Sequence, residues 1–322
     1  MCSSDLFTAA EKSKANIYYE ASVAGGIPII KSLREGLAGN RIEKICGILN
    51  GTCNYILTKM EEDKADFHTV LKKAGELGYA EADPSLDIDG IDTAHKAVIL
   101  ASLAYGEWFG MDSVYIEGIR NMSLIDIKFA AELGYRVKLL GIIKKNKDDV
   151  QIRVHPALIP SQRLMANISD VNNGVFVKAV PVGDVLLYGR GAGMEATSSA
   201  VIADIIDVAL NIKFHSHARI PAFRTGKQFK NLTKMDNIIT RYYLRVKVKD
   251  QLAVFSRIST ILGEESISIS SLLQKEQYST ESLPIVIITH ETCEHNISNA
   301  IKRIEALNAV IGKVNIIRIE DF

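Results

Sequence analysis

The stretch GYAEADPSLDIDGIDTAHKAVILASLAY, residues 78–105, joins an acidic loop to an apolar segment. Its first half concentrates negative charge at Glu81, Asp83, Asp87, Asp89 and Asp92. The segment AVILASLA that follows is apolar on all sides of a helix, which predicts a helix buried in a domain core. Asp92 and Lys96 are four residues apart at the start of this helix, so their side chains share one face.

The segments on both sides of this stretch alternate between helix and strand patterns. SDLFTAAEKSKAN reads as a helix, IYYEASV as a buried strand, and RIEKICGILNG as a second strand, after which Thr52 is a plausible N-cap. Helix, strand and hairpin patterns continue to about residue 211. From Tyr242 the order changes to βαββαβ, which is typical of a ferredoxin-like module. The fold class is therefore α/β, joined to an α+β tail.

Composition narrows the class of protein. The chain has 322 residues, of which 47% are apolar, and its 38 basic and 38 acidic residues cancel. A neutral balance argues against nucleic acid or a membrane surface as partner. No apolar run approaches the roughly 18 residues of a membrane helix, and the start lacks a signal-peptide core. The cysteines show no metal or disulfide spacing, which favours a cytoplasmic protein; they are Cys2, Cys46, Cys53 and Cys293.

Three interpretations of the acidic stretch compete. It is a solvated loop with a surface ion pair, a calcium loop, or a polar active site. Ser85, Asp87 and Asp89 fit the first positions of an EF-hand, but the last ligand position holds Lys96, a cation. A lysine on a buried helix beside a carboxylate is a candidate for proton transfer. The surrounding carboxylates suit the ammonium or hydroxyl group of a small polar substrate.

Three motifs carry a resemblance to a known family. GYAEADPSLDIDGIDTAHK resembles the signature of homoserine dehydrogenases, and YEASVAGGIPII and GILNGTCNYIL are similar to two further motifs of that family. The resemblance covers residues 1 to about 211 and implies NAD(P)-dependent interconversion of L-homoserine and L-aspartate 4-semialdehyde, within threonine, methionine and isoleucine biosynthesis. The competing interpretation is a non-catalytic remnant that dimerises or binds an amino acid.

The resemblance also implies roles for individual residues. Lys96 would donate a proton to the aldehyde oxygen, and Asp92 would orient Lys96. Glu81 and Asp87 would hold the amino and hydroxyl groups of the substrate. A segment that binds sodium mainly through backbone carbonyls would comprise Glu20, Val23, Gly25 and Ile27. Without an ion, a Gly-Pro turn accounts for the glycines of that segment equally well.

A late glycine loop, GRGAGMEA, follows a strand pattern and precedes a helix pattern. Gly191 and Gly193 fit a dinucleotide-binding pattern, although no acidic strand end follows about 20 residues later. In the family, this loop lies near the nicotinamide of NADP or NAD. Family members begin with a Rossmann-type first half that this chain does not resemble. The chain is therefore expected to be truncated at its N-terminus and inactive by itself.

The tail resembles an ACT domain, a module that binds amino-acid effectors. ACT domains usually have a glycine in the turn after the first strand, whereas Asp250–Ala253 has none, so the tail is a dimerisation module or an effector site. A homo-oligomer is expected. The predicted division is a nucleotide-binding remnant (1–22), a catalytic domain (23–187), a return to the nucleotide-binding domain (188–211), a linker (212–240) and an ACT-like domain (241–322).

Overall fold

The computed structural model describes residues 3–13, 15–216, 229, 231–274 and 282–322. The α-helices of these residues are α1 (Ser3–Ser13), α2 (Ile29–Lys31), α3 (Gly51–Glu62), α4 (Phe67–Glu76), α5 (Ser85–Ile88), α6 (Ile91–Tyr105), α7 (Leu124–Glu132), α8 (Met194–Lys213), α9 (Val254–Glu264) and α10 (Glu294–Glu305). Helix α2 continues as a π-helical turn, Ser32–Gly36. None of the helices in this part of the chain is long and apolar enough to cross a membrane.

The strands of the same residues are β1 (Arg41–Ile48), β2 (Tyr115–Ile116), β3 (Tyr135–Asn146), β4 (Asp149–Pro160), β5 (Asn172–Val180), β6 (Gly183–Arg190), β7 (Asn231–Leu232), β8 (Ile239–Val248), β9 (Ile269–Gln274), β10 (Leu283–Thr289), β11 (Thr292–Cys293) and β12 (Asn315–Ile319). The chain divides into two compact units. The first comprises 1–124, 138–155 and 167–232, and the second comprises 125–137, 156–166 and 233–322.

In the first unit the long strands follow the order β6-β5-β1-β3-β4, with antiparallel pairing of β6 with β5, β5 with β1, and β1 with β3. Helix α6 packs against β3, because a Cβ atom at Gly141 would lie 3.4 Å from Ala97 Cβ and from Thr93 Cγ2. The middle of α6 is buried at Ala97, Leu100 and Ala101, which confirms the helix predicted from its apolar pattern.

Two local predictions in this unit are wrong. IYYEASV forms no strand but runs into a 3-10 turn, Glu20–Ser22, because none of the described strands pairs with it and an extended segment needs a hydrogen-bonding neighbour. The N-cap of α3 is Asn50 rather than Thr52. Asn50 Oδ1 accepts a hydrogen bond from Cys53 N at 2.8 Å, while the Thr52 hydroxyl donates to the carbonyl of Tyr79 at 2.7 Å.

The second unit has the predicted βαββαβ order, β8-α9-β9-β10-α10-β12, and its strands lie in the order β12-β8-β10-β9. This is the ferredoxin-like arrangement. Alternate residues of β8 and β10 form one core with α9 and α10, which includes Tyr242, Leu244, Val246, Ile258, Ile287, Ile297 and Ile304. The last part of β4 pairs in parallel with β12, at Ala157 and Leu158.

The compact units differ from the domains expected from sequence. Residues 125–137 and 156–166 group with the C-terminal unit, although the sequence placed them in the catalytic domain. Helix α8 and strand β8 both extend into the predicted linker, 212–240. Much of that linker, 217–228 and 230, lies outside the described residues, as do residues 275–281 of the predicted ferredoxin-like module.

Candidate active site

The Asp92–Lys96 pair predicted from helical spacing is formed. Lys96 Nζ donates to Asp92 Oδ2 at 2.7 Å and to the carbonyl oxygen of Leu49 at 3.0 Å. The two side chains are 21% and 31% exposed, for Lys96 and Asp92 respectively. An ammonium has three N–H donors, and the described residues accept two of them, which leaves one for a ligand. The pair is therefore held in place and still accessible.

Asn50 joins this pair to Asp87, which lies on the short helix α5. The side-chain amide of Asn50 donates to Asp87 Oδ1 at 2.7 Å and to Asp92 Oδ2 at 2.9 Å. The structure thus brings together three of the predicted site residues, Lys96, Asp92 and Asp87. The calcium interpretation requires a loop at residues 85–88, but these residues form helix α5. The described residues also contain no group of three or more His, Cys, Asp or Glu suited to a metal ion.

Cys53 lies under the site, on the first turn of α3. Its thiol donates to the backbone carbonyl of Asp87 at 3.2 Å. Burial raises the pKa of this thiol well above its ordinary value, and the negative charges of Asp87 and Asp92 raise it further. Cys53 is therefore a neutral packing and hydrogen-bonding group at neutral pH.

The other acidic residues of the stretch have separate surroundings. Glu81 is exposed and makes no hydrogen bond with the residues that the structure describes. Asp83 accepts hydrogen bonds from Ser85, which closes the turn before α5. Asp89 forms a two-point ion pair with Arg120, with both distances 2.8 Å, and the hydrogen bond from Arg120 lowers the pKa of Asp89. Only part of the predicted acidic cluster therefore faces Lys96.

The one carboxylate of the predicted sodium segment, Glu20, is hydrogen-bonded to the protein backbone. Glu20 is buried, and its two oxygens accept hydrogen bonds from the backbone N–H groups of Ile30 and Lys31, both at 2.8 Å. Burial raises the pKa of Glu20, while these two bonds oppose the rise. The side chain therefore satisfies the start of α2. Val23 and Ile27 are buried side chains, so any ion at this segment would depend on backbone carbonyls.

Gly25 and Gly191 come into close contact. A Cβ atom at Gly25 would lie 2.3 Å from the carbonyl oxygen of Gly191, and Gly25 has φ +52°. The N–H of Gly26 also donates to the carbonyl of Arg190 at 3.1 Å. Any larger residue at position 25 would collide with backbone. The predicted ion-binding segment and the predicted cofactor loop therefore adjoin each other.

The glycine loop opens helix α8. Gly193, with φ +104°, precedes the helix, and a Cβ atom there would meet nothing within 4 Å. Gly191 is different, because a Cβ atom there would lie 2.1 Å from the side chain of Asn173. The first turn of α8 also carries an exposed carboxylate, Glu195, which pairs with Arg190 at 3.3 Å.

Helix α8 also binds the segment around residues 16–22. The N–H of Glu20 donates to Asp204 Oδ2 at 2.9 Å, and Asn211 donates to the Tyr18 hydroxyl. A cavity of about 380 Å³ lies between them, and its lining includes Tyr19 and Ile205. Much of the apolar surface of α8 is exposed, at Met194, Val201, Ile202, Ile205, Ile206, Val208, Leu210 and Ile212.

Sequence reasoning missed the residues that connect the site. Asn50 and the Leu49 carbonyl were not expected there, although an Asn-Gly pair between a buried strand and a helix is an N-cap signal. Arg120 was also missed, and nothing in its sequence neighbourhood indicates its pairing with Asp89.

Comparisons with known proteins all point to a single family. Residues 28–206 match the homoserine dehydrogenase family model, and residues 242–309 match the ACT domain model. A homoserine dehydrogenase of Neisseria gonorrhoeae is 47% identical over 319 residues, covering 98% of this chain and 73% of that protein. The corresponding protein of Pseudomonas aeruginosa is 43% identical, with coverage of 98% and 74%.

Solved structures give the same result. The crystal structure of a homoserine dehydrogenase from Thiobacillus denitrificans has a TM-score of 0.93 and 46% identity, covering 98% of this chain and 73% of that one. A hyperthermophilic archaeal homoserine dehydrogenase in complex with NADPH has a TM-score of 0.56 and 34% identity, covering 64% of this chain and 60% of that one. The chain therefore belongs to the homoserine dehydrogenase family and carries an ACT domain at its C-terminal end.

Proposed function

We propose that Lys96 transfers the proton in the family's reaction, the NAD(P)-dependent interconversion of L-homoserine and L-aspartate 4-semialdehyde. The observation that carries this assignment is the arrangement of the Lys96 ammonium. Asp92 and the Leu49 carbonyl hold it in one position, and its third N–H donor has no acceptor among the residues that the structure describes. A fixed cation that still reaches solvent suits a group that must both bind and protonate an oxygen.

The negative charge that develops on the aldehyde oxygen suits a lysine as proton donor. In the reductive direction, a bound nicotinamide cofactor would supply a hydride to the aldehyde carbon, and the aldehyde oxygen would become negative. The Lys96 ammonium stabilises that charge and gives the oxygen a proton, which yields the hydroxyl of homoserine. In the oxidative direction, neutral Lys96 accepts the hydroxyl proton as the hydride leaves. Asp92 keeps Nζ in place in both directions.

Asp87 and Glu81 are proposed to hold the amino and hydroxyl groups of the substrate. Asp87 is half-buried, and Asn50 occupies its Oδ1 atom, while Oδ2 accepts no hydrogen bond from the residues described here. That oxygen is available to an ammonium group. Glu81 is exposed and has no partner among the described residues, so it depends more on the bound substrate for its position.

The cofactor assignment rests on the glycine loop and α8. We propose that Gly193 and its loop contact the nicotinamide end of NADP or NAD, and that 1–22 and 188–211 belong to one nucleotide-binding domain. The hydrogen bonds from Glu20 to Asp204 and from Asn211 to Tyr18 support that grouping. Sodium near Gly25 and a homo-oligomer stay predictions.

We also propose that the ACT domain takes an amino-acid effector at the turn before α9. Ala253 has φ +64° at the start of that helix, so the left-handed turn forms without the usual glycine. The residues of this turn, from Asp250 to Ala253, are exposed. Calorimetric titration of the chain with L-threonine, L-methionine and L-isoleucine tests this proposal. The absence of a saturable heat with all three amino acids would contradict it.

The test of the catalytic assignment is Lys96→Ala in a form of the enzyme that oxidises homoserine, called the active enzyme below. Lys73→Ala is the matched control. Lys73 is an exposed lysine that pairs with Asp63 on the surface. Loss of the proton donor should lower kcat by about 10²-fold or more, with a smaller change in KM for homoserine. The control should leave both constants unchanged. A Lys96→Ala enzyme with near-normal kcat would refute the assignment.

A further inference from the structure

The Asn50 side chain uses its amide in two separable ways. Its oxygen accepts a hydrogen bond from Cys53 N at 2.8 Å and so caps α3. Its NH₂ group donates to Asp87 Oδ1 at 2.7 Å and to Asp92 Oδ2 at 2.9 Å. The reverse amide orientation would place an oxygen against two carboxylates and an NH₂ group against a backbone N–H. The surroundings therefore determine which way the amide points.

The two carboxylates that Asn50 joins come from different elements, α5 and α6. Like charges this close repel each other, and neither is fully buried. Asn50 is itself buried. It follows Leu49 in the chain, and the Leu49 carbonyl accepts a hydrogen bond from Lys96 Nζ. Residues 49 and 50 together thus contact Lys96, Asp92 and Asp87.

We propose that Asn50 is a positioning residue for the reaction, which sets the distance between the proton-transferring Lys96–Asp92 pair and the substrate-binding Asp87. This inference rests on the roles proposed above for these three residues. Asn50 has no assigned contact with the reacting atoms. Its effect passes through Asp92 to Nζ and through Asp87 to the substrate, so it acts on both catalysis and substrate orientation.

The variants separate capping from positioning. Asn50→Ser keeps an oxygen that can cap α3 but replaces the two amide N–H donors to the carboxylates with one hydroxyl on a shorter side chain. Asn50→Asp also keeps the cap, and places a third carboxylate beside Asp87 and Asp92. Asp66→Ala serves as control for a lost cap, because Asp66 caps α4 through Thr69 N at 3.0 Å and lies outside the site.

In the active enzyme, Asn50→Ser should lower kcat about 10- to 100-fold, because misplacement of reacting groups is costly. Asn50→Asp should lower kcat further. Both should unfold thermally within a few degrees of the wild type. Asp66→Ala should lose some thermal stability and keep its kcat. A wild-type kcat in Asn50→Ser, or a kcat loss that only follows thermal stability, would overturn the proposal.

A joint change in kcat and KM gives a readout that a purely structural residue would not move. Asn50 contacts Asp92 of the Lys96–Asp92 pair and also the proposed substrate-binding Asp87. Asn50→Ser should therefore lower kcat and raise KM for homoserine together, whereas Asp66→Ala should change neither constant. An Asn50→Ser enzyme that changes only in thermal stability would contradict the positioning role.

Lys96→Ala distinguishes a failure of this inference from a failure of the proposed function. If Lys96→Ala keeps its kcat, the catalytic assignment fails whatever the Asn50 variants show. If Lys96→Ala is inactive while Asn50→Ser is normal, only the positioning role of Asn50 fails.

Discussion

The candidate active site differs from the second compact unit, which contains the ACT domain and is called the ACT unit below, in how it pairs its charged side chains. Each places carboxylates against a cation and neutral hydrogen-bond donors. In the site, the Asp92 and Lys96 side chains remain 31% and 21% exposed. In the ACT unit, Glu294 and Arg318 are only 7% and 4% exposed, and the Tyr242 hydroxyl also donates to Glu294 at 2.8 Å.

A second buried cluster in the ACT unit repeats this arrangement. Asp126 of α7 is almost fully buried and accepts hydrogen bonds from Arg245, Tyr243 and Asn315. Burial raises the pKa of the Tyr243 hydroxyl, and the charge of Asp126 raises it further, so Tyr243 stays a neutral donor. Every oxygen of these carboxylates is thus committed to the protein.

The comparison shows that exposure and spare hydrogen-bonding capacity, rather than residue type, distinguish the candidate active site from the buried clusters of the ACT unit. Removing the partner of a buried, fully paired carboxylate lowers the stability of the fold, and such a carboxylate has no free acceptor for a ligand. A partly exposed pair contributes little to stability and can exchange a partner for substrate. Mutations should therefore affect stability in the ACT unit and turnover in the site.

The largest effect on stability is expected from Arg318→Met. This change leaves the Glu294 carboxylate buried without its cation, which should lower the free energy of unfolding by about 3–5 kcal/mol. Urea unfolding of the chain followed by circular dichroism measures it. Lys96→Met is the matched variant in the site, and it should cost about 1 kcal/mol or less. Equal losses in the two variants would remove the distinction between the regions.

A smaller effect, on KM, is expected within the site, where Asp87 is hydrogen-bonded to Asn50 and Glu81 has no hydrogen bond with the described residues. Asp87→Asn should raise KM for homoserine by about 10- to 100-fold, because a hydrogen bond to a charged group is worth roughly 1.5–3 kcal/mol. Glu81→Gln should raise it less, since Glu81 is exposed and not preorganised. Steady-state kinetics with saturating cofactor gives both values. Asp83→Asn, whose partner is Ser85, is the control and should leave KM unchanged. A larger effect at Glu81 than at Asp87 would reverse this ranking.

The smallest effect concerns Cys53 at alkaline pH. Its ordinary thiol pKa is 9.0, and burial raises the pKa in the folded state well above that. The unfolded chain therefore loses this proton first, so the folded state loses stability as pH rises above about 9. Between pH 9 and 10 the loss should be about 1 kcal/mol. Cys53→Ser keeps a donor for the Asp87 carbonyl and does not titrate, so its unfolding free energy should fall less over this interval. Parallel pH curves for the two proteins would show that Cys53 does not carry the effect.

Much of the local structure was determined by sequence alone. The continuous apolar run of 97–104 specified a buried helix, and the spacing of Asp92 and Lys96 specified their pairing, since residues four apart on a helix are neighbours. The order of strand and helix patterns after Tyr242 specified the ferredoxin-like unit. These features depend on residues close in the chain.

The remaining features depended on the tertiary structure. Asn50 meets Asp87 and Asp92 although 37 and 42 residues separate them, and Gly25 meets Gly191 from a far greater distance along the chain. Glu20 binds the backbone of Ile30 and Lys31 because the chain turns back on itself there. Such contacts have no period or spacing that a sequence reveals. They form only when the packing of the core brings distant segments to the same place, and that packing is a property of the whole fold.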